Sequence, residues 1–326
     1  MRDRVKRPRA LRRLAVAATV GMFLVLIAGA TVTSTGSGAG CGRSWPLCHG
    51  RALPQFTLES IIEYSHRAVT GVEGLLIVAL AIGAWRGWRQ RSEVRVLVPL
   101  MIGFLVLQSI LGAWAAVYGQ QPATMALHFG ISLTAFASVM LLAVFLYEVE
   151  GFEAMRNRPI PAGLRWLIWG TLGYTYLLVY LGAYVRHTRS SLACIDWPLC
   201  NGQVWPGFSG PVGIMFAHRL AAVAGTLLVA ALAVWTWRLR RTRPDLFWSA
   251  VAALGLILLQ SISGGVVVLS KLQVYSTITH AGLATLLFGA LSYMCYRTLP
   301  LPSERVITRP TGERASPALG TGAPQR

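Results

Sequence analysis

The chain has 326 residues, 54% of them hydrophobic and only 13% charged, with 30 Lys and Arg against 12 Asp and Glu for a net charge of +18. A charged share about half that of an ordinary soluble domain excludes a soluble globular protein. It leaves room for about eight helices of the ~20 apolar residues that cross a bilayer.

In chain order, apolar stretches occupy 14–33, 60–85, 96–117, 124–147, 166–185, 212–237, 246–269 and 277–296. Each is near the length of a tilted membrane helix and none alternates as a barrel strand does, so the class is an all-α integral membrane protein with eight transmembrane helices. The first stretch has the basic start of a secretory leader, but its apolar core exceeds the usual ~7–15 residues. An even number of spans puts both termini on one side. That side carries 23 of the 30 Lys and Arg, in 1–13, 86–95, 148–165, 238–243 and from Arg297 onward, and the other side carries Arg43, Arg51, Arg67, Arg186, Arg189, Arg219 and Lys271. Both termini are therefore expected in the cytoplasm of a plasma-membrane protein. The basic excess is read as lipid-side anchoring, with no nucleic-acid partner.

The chain repeats itself. A shift of 152 residues places Trp45-Pro46-Leu47-Cys48 on Trp197-Pro198-Leu199-Cys200, His66-Arg67 on His218-Arg219, Leu107-Gln108-Ser109-Ile110 and Gly112 on Leu259-Gln260-Ser261-Ile262 and Gly264, and His128 on His280. Ahead of the loops a shift of 153 places Gly29-Ala30, Val32 and Cys41 on Gly182-Ala183, Val185 and Cys194. A repeat unit with an even number of spans keeps its orientation, so two tandem four-helix bundles are expected, related by a pseudo-twofold axis along the membrane normal. The predicted organisation is an N-terminal bundle over 1–147, a cytoplasmic linker over 148–165, a C-terminal bundle over 166–298 and a disordered cytoplasmic tail over 299–326.

Four of the six histidines fall within spans, each about two turns or less from its outer end: His66, His128, His218 and His280. A single one would suit interhelical hydrogen bonding. The equal separation of 62 residues within each half instead puts two facing imidazoles in each bundle, the arrangement that heme iron requires, whereas zinc or copper would need further Cys, His or carboxylate ligands. Arg67 and Arg219, beside two of these histidines, are candidate contacts for heme propionates or snorkelling anchors. Glu63, three residues before His66 on the same helix face, has Met215 as its counterpart and so belongs to the first half alone. A membrane carboxyl needs a reason: an ion pair with Arg67, or proton transfer and charge stabilisation beside a substrate. Glu73 has no evident role. Cys41 with Cys48 and Cys194 with Cys200 are expected to pair locally in the outer loops, either as simple loop staples or, with the first pair the better candidate, in a redox role. Cys295 reads as a small apolar residue, His49 and His187 as solvent-facing loop residues, and Gln108 and Gln260 as interhelical hydrogen-bond partners. Trp45, Trp197 and Trp205 suit either interfacial anchoring or the walls of a heme site.

Taken together, the two halves, Glu63-Tyr64-Ser65-His66-Arg67, His128, His218-Arg219, His280 and a cysteine pair in the first and third outer loops resemble the heme A synthase family over about residues 14–298, in its bacterial, cysteine-containing form. The resemblance implies oxidation of the C8 methyl of heme O to a formyl group by successive hydroxylation, with water-derived oxygen in the aldehyde step and heme B as cofactor. It implies heme B between His218 and His280, substrate heme O between His66 and His128, and a catalytic Glu63, with Cys41 and Cys48 as candidates for electron or substrate handling. Heme O synthase and terminal-oxidase assembly factors are the implied partners besides membrane lipid, with homo-oligomerisation and the electron donor left open. Because an iron with two axial histidines has no open position, at least one of His66 and His128 is expected to leave the iron during turnover. The alternative is a quinol-linked bis-histidine b-type cytochrome that only transfers electrons, which leaves Glu63 without a purpose. A transporter is disfavoured because the repeat is not inverted and no span is broken.

Overall fold

The computed structural model describes residues 8–148 and 158–299. These form eight helices: α1 (Pro8–Thr35), α2 (Leu58–Trp88), α3 (Ser92–Tyr118), α4 (Pro122–Glu148), α5 (Ala162–His187), α6 (Gly210–Trp237), α7 (Pro244–Leu269) and α8 (Val274–Thr298). Among the described residues there is no strand, only equivalent isolated bridges joining Cys48 to Arg51 and Cys200 to Gln203. Residues 149–157 of the expected linker and all of the expected tail beyond Leu299 lie outside the described residues.

Local chemistry marks the helix ends. Thr57 caps α2 by accepting the Ser60 N–H at 3.3 Å, and prolines open α4 and α7 where a backbone donor would be unused. At the far ends of α1 and α5 the chain turns back the same way: Ser37 donates to Val32 O at 2.9 Å and Ser190 to Val185 O at 3.0 Å. The intervening residue, Gly36 or Arg189, takes a positive φ, which satisfies a terminal carbonyl of each helix.

Seven of the eight helices are long and apolar enough to cross a membrane. The exception is α5, whose 26 residues include Tyr174, Tyr176, Tyr180 and Tyr184. Three of these phenols are absorbed inside the protein. Tyr174 donates to Ala221 O at 2.8 Å, Tyr180 to the Tyr176 hydroxyl at 3.0 Å, and Tyr176 accepts from Thr134 at 3.1 Å. Low hydropathy here reflects a helix whose polar atoms are turned toward protein, which a bilayer tolerates.

Within the first half α1 packs on α2 and α4, and α3 on α2 and α4; the second half repeats this with α5 to α8. The halves meet where α4 touches α5, where α1 touches α8, and where α4 touches α8. The repeat equates α1 with α5 and α4 with α8, so the first two contacts exchange under a twofold rotation and the third lies on its axis. Because both units run the same way, that axis follows the membrane normal. Of the seven apolar spans the most buried are therefore α4 and α8. Small residues allow the close approach. Gly130 faces the Tyr180 ring, and a Cβ on Gly282 or Gly289 would lie 3.2 Å from Ile27 or 3.1 Å from Phe136.

Candidate functional site

His66 on α2, His128 on α4, His218 on α6 and His280 on α8 all line one cavity of about 1520 Å³. That exceeds the ~300–1,000 Å³ of a typical single small-molecule site. His66 lies within Coulombic reach of His128, and His218 of His280. Each imidazole packs against a glycine of the neighbouring helix. A Cβ would lie 3.2 Å from His66 at Gly29, 3.3 Å from His128 at Gly112, 3.0 Å from His218 at Gly182 and 3.2 Å from His280 at Gly264. The glycines leave room for a ring beside the helix backbone, and the device occurs four times.

The first-half and second-half parts of this one cavity, its two chambers, differ in how they hold their rings. Ser263 lies 2.8 Å from Nδ1 of His280 and donates to Gln260 O at 2.8 Å, while the Gln260 amide lies 3.2 Å from Nε2 of His280. The donors are satisfied if Nδ1–H donates to Ser263 and Nε2 accepts from Gln260, which leaves Nε2 as the lone-pair atom. That is the tautomer a metal ligand needs. In the first half Leu111 replaces Ser263, Gln108 turns to the Met22 sulfur at 4.0 Å, and Nδ1 of both His66 and His128 is buried without a partner. Nδ1 of His218 is likewise unpartnered. Gln260 is thus a histidine partner, whereas Gln108 stays in the helix interface.

Arg67 and Arg219 line the cavity but use their donors on the loops above it. Arg67 donates to Ser44 O at 2.9 Å and Leu47 O at 2.7 Å, and Arg219 donates to Asp196 O at 2.8 Å and to Leu199 O. Each clamps a loop closed by a disulfide, Cys41–Cys48 or Cys194–Cys200. In the second loop the N–H groups of Gly202 and Asn201 bind the Asp196 carboxylate at 2.7 and 2.6 Å and hold its pKa below the ordinary value.

Glu63 is buried at the cavity wall, paired with Arg67 at 2.6 Å and accepting the Cys41 N–H at 2.8 Å. Its counterpart Met215 packs with Val185, Val268 and the Cys194–Cys200 disulfide in an apolar cluster. One disulfide thus rests on a carboxylate and the other on hydrocarbon. Trp45 and Trp197 form cavity wall, whereas Trp205 stacks with Phe208 and Phe216 away from it. Cys295 is buried in the second-half core, and His49 is exposed in its loop.

His187 corrects the sequence reading. It is the last residue of α5, half-buried and in the cavity wall, because the helix continues past the apolar span. Arg186 accompanies it there. Among the described residues no three His, Cys, Asp or Glu side chains converge as a bare metal-ion site, so the paired histidines suit a group that brings its own equatorial ligands.

The fold and site define a class: a multi-pass membrane protein made by duplication, with a histidine pair in each half and a disulfide loop over each pair. The COX15-CtaA family model, described as cytochrome oxidase assembly protein, matches residues 52–292, and the chain belongs to this family. It is 43% identical over 286 residues to a protein of Bacillus licheniformis named "Heme A synthase", covering 87% of this chain and 95% of that protein. It is 45% identical over 305 residues to one of the same name from Symbiobacterium thermophilum, covering 91% and 98%, and 42% identical over 287 residues to one from Geobacillus kaustophilus, covering 88% and 90%. The chain is an enzyme of this family.

Proposed function

We propose that the protein is a heme A synthase, oxidising the C8 methyl of heme O to a formyl group with heme B as resident cofactor. The observation that carries this reading is the asymmetry of a duplicated site. Both halves offer a histidine pair, but only the first adds a carboxylate, Glu63, and only the second fixes a histidine tautomer through Ser263. A resident group needs at least one oriented ligand, which His280 supplies through Ser263 and Gln260 although Nδ1 of His218 is as unpartnered as those of His66 and His128, and a reacting group needs ligands that can move. His218 and His280 are therefore assigned to heme B, and His66 and His128 to substrate heme O. When bound, heme B supplies one-electron transfer.

The residues of this chain do the rest. His66 and His128, without Nδ1 partners, can rotate to free one face of the substrate. Glu63 presents a carboxylate oxygen to the first chamber as proton acceptor and charge stabiliser, and Arg67 holds it in place. Trp45, Trp197 and the apolar helix walls give the porphyrin a largely hydrocarbon surface to lie against. The arginine-rich helix ends, opposite the disulfide loops, favour cytoplasmic termini in the plasma membrane. Heme O synthase and oxidase assembly factors are the proposed partners.

Heme O supplied to cells expressing the protein, followed by porphyrin extraction, tests the reading. Heme A is expected with the wild type and not with Glu63→Gln. Unchanged heme O with the wild type would instead identify an electron-transferring cytochrome.

A further inference from the structure

Three arginines line the cavity: Arg67, Arg186 and Arg219. The first is spent on loop carbonyls and on Glu63, and the third gives its two terminal nitrogens to loop carbonyls, its buried Nε making no hydrogen bond. Arg186 is half-buried, makes one hydrogen bond, to Thr33 O at 3.3 Å, and takes no part in the ion pairs of the described residues. A guanidinium with five donors, lodged in a largely apolar cavity, is unfavourable without an anion and is shaped to receive a carboxylate on two parallel bonds.

Its position is informative. Thr33 is the repeat counterpart of Arg186, shifted by 153 residues. A residue that touches its own symmetry mate lies at the pseudo-twofold axis, here at the disulfide-side ends of α1 and α5 where the two chambers meet. From α5, a helix of the second half, the guanidinium reaches α1 of the first. His187, the next residue, lies within Coulombic reach of first-half His128. The first half returns nothing comparable: its Thr33 and Ser34 are neutral, and Ser34 accepts a bond from Thr277 of α8 at 2.7 Å.

We propose that Arg186, with His187 beside it, anchors a carboxylate side chain of the tetrapyrrole in the first-half chamber, so that the second half completes the first half's site. The inference rests on the reading of that chamber as a porphyrin site. A cation shared across the axis also gives the duplicated halves a reason to stay joined in one chain.

The test is a titration of the purified full-length protein, its second site filled, with iron protoporphyrin IX and separately with its dimethyl ester. The first-site signal is the absorbance change lost in His66→Ala. Arg186→Gln and Arg186→Thr, the latter copying the counterpart Thr33, should weaken first-site binding of the free acid about tenfold or more, as for a hydrogen bond to a charged group. Arg186→Lys should give an intermediate loss. The ester should bind wild type and variants equally weakly, while the second-site spectrum stays unchanged in all of them. Wild-type affinity for the free acid in Arg186→Gln, or an equal loss for acid and ester, would overturn the inference alone. A wild type with no His66-dependent signal would overturn the porphyrin reading of the first chamber and the inference with it.

Discussion

At the scale of single residues, the four histidines were legible because a polar side chain in an apolar span is conspicuous and recurs at a fixed shift. Their glycine companions were not read as part of the site, although Gly29 with Gly182 and Gly112 with Gly264 also align in the repeat. Glycine carries no chemistry of its own, and its role appears only when the neighbouring helix brings an imidazole against it. The spacing ranks these contacts. A Cβ at Gly182 would stand 3.0 Å from His218 and one at Gly112 3.3 Å from His128, so Gly182→Ala should displace its ring further. The spectrum of bound heme should therefore change more in Gly182→Ala than in Gly112→Ala. Ser263 was equally silent, since its counterpart is Leu111 and repetition could not flag it. Removing the Nδ1 partner in Ser263→Ala should lower second-site heme affinity about 10–100-fold, the usual effect of losing a hydrogen bond that orients a ligand. The measurement is a heme-transfer assay to an acceptor protein, and unchanged retention would refute the assigned role.

At the scale of helices, span positions followed from composition, but which side of each helix meets protein did not. The pair α1–α2 and its counterpart α5–α6 solve one packing problem in opposite ways. In the first, Glu73 of α2 is buried with Oε1 unpartnered and its carboxylate lies against Gly21 of α1. In the second, the equivalent of Glu73 is Gly225 and the equivalent of Gly21 is Tyr174, whose ring passes 3.4 Å from where a Gly225 Cβ would be. Large and small have changed places, so the sequence shows two unrelated substitutions where the structure has one filled gap. Glu73, without a role in the sequence, is thus a space-filling polar residue between helices. Gly21→Ala would drive a methyl into its carboxylate and should cost about 1–3 kcal/mol, as overpacking does. Most of that cost should vanish in a Glu73→Ala background. A double-mutant cycle on thermal unfolding in detergent reads the coupling directly, and additive effects would show that the two side chains do not compete for space.

At the scale of the whole molecule, the repeat revealed two halves but not what fastens them at the end opposite the disulfide loops. There Arg297 of α8, 1% exposed, bridges Asp245 of α7 at 2.9 Å and Glu148 at the end of α4. Arg243, also 1% exposed, pairs with Asp245 at 2.9 Å and donates to Arg297 O at 2.9 Å and to Arg158 O, within the linker, at 3.2 Å. One buried cluster thus ties together both halves and the chain that joins them. The first half carries Arg91 and Glu93 at the positions of Arg243 and Asp245, but Phe145 at that of Arg297, so Arg297 has no charged counterpart in the repeat. Arg residues near helix ends read as topology signals in a membrane sequence, which hides such a use. Removing one member of a buried network leaves the remaining charges uncompensated, a loss of about 3–5 kcal/mol. Arg297→Met should therefore lower the unfolding temperature well beyond Arg91→Met, whose side chain is 37% exposed. Because Arg297 is far along α8 from His280, the variant should keep the second-site heme spectrum at low temperature while losing it earlier on heating. A spectrum already altered before unfolding would mean that the inner-end cluster sets the geometry of the chambers as well as holding the halves together.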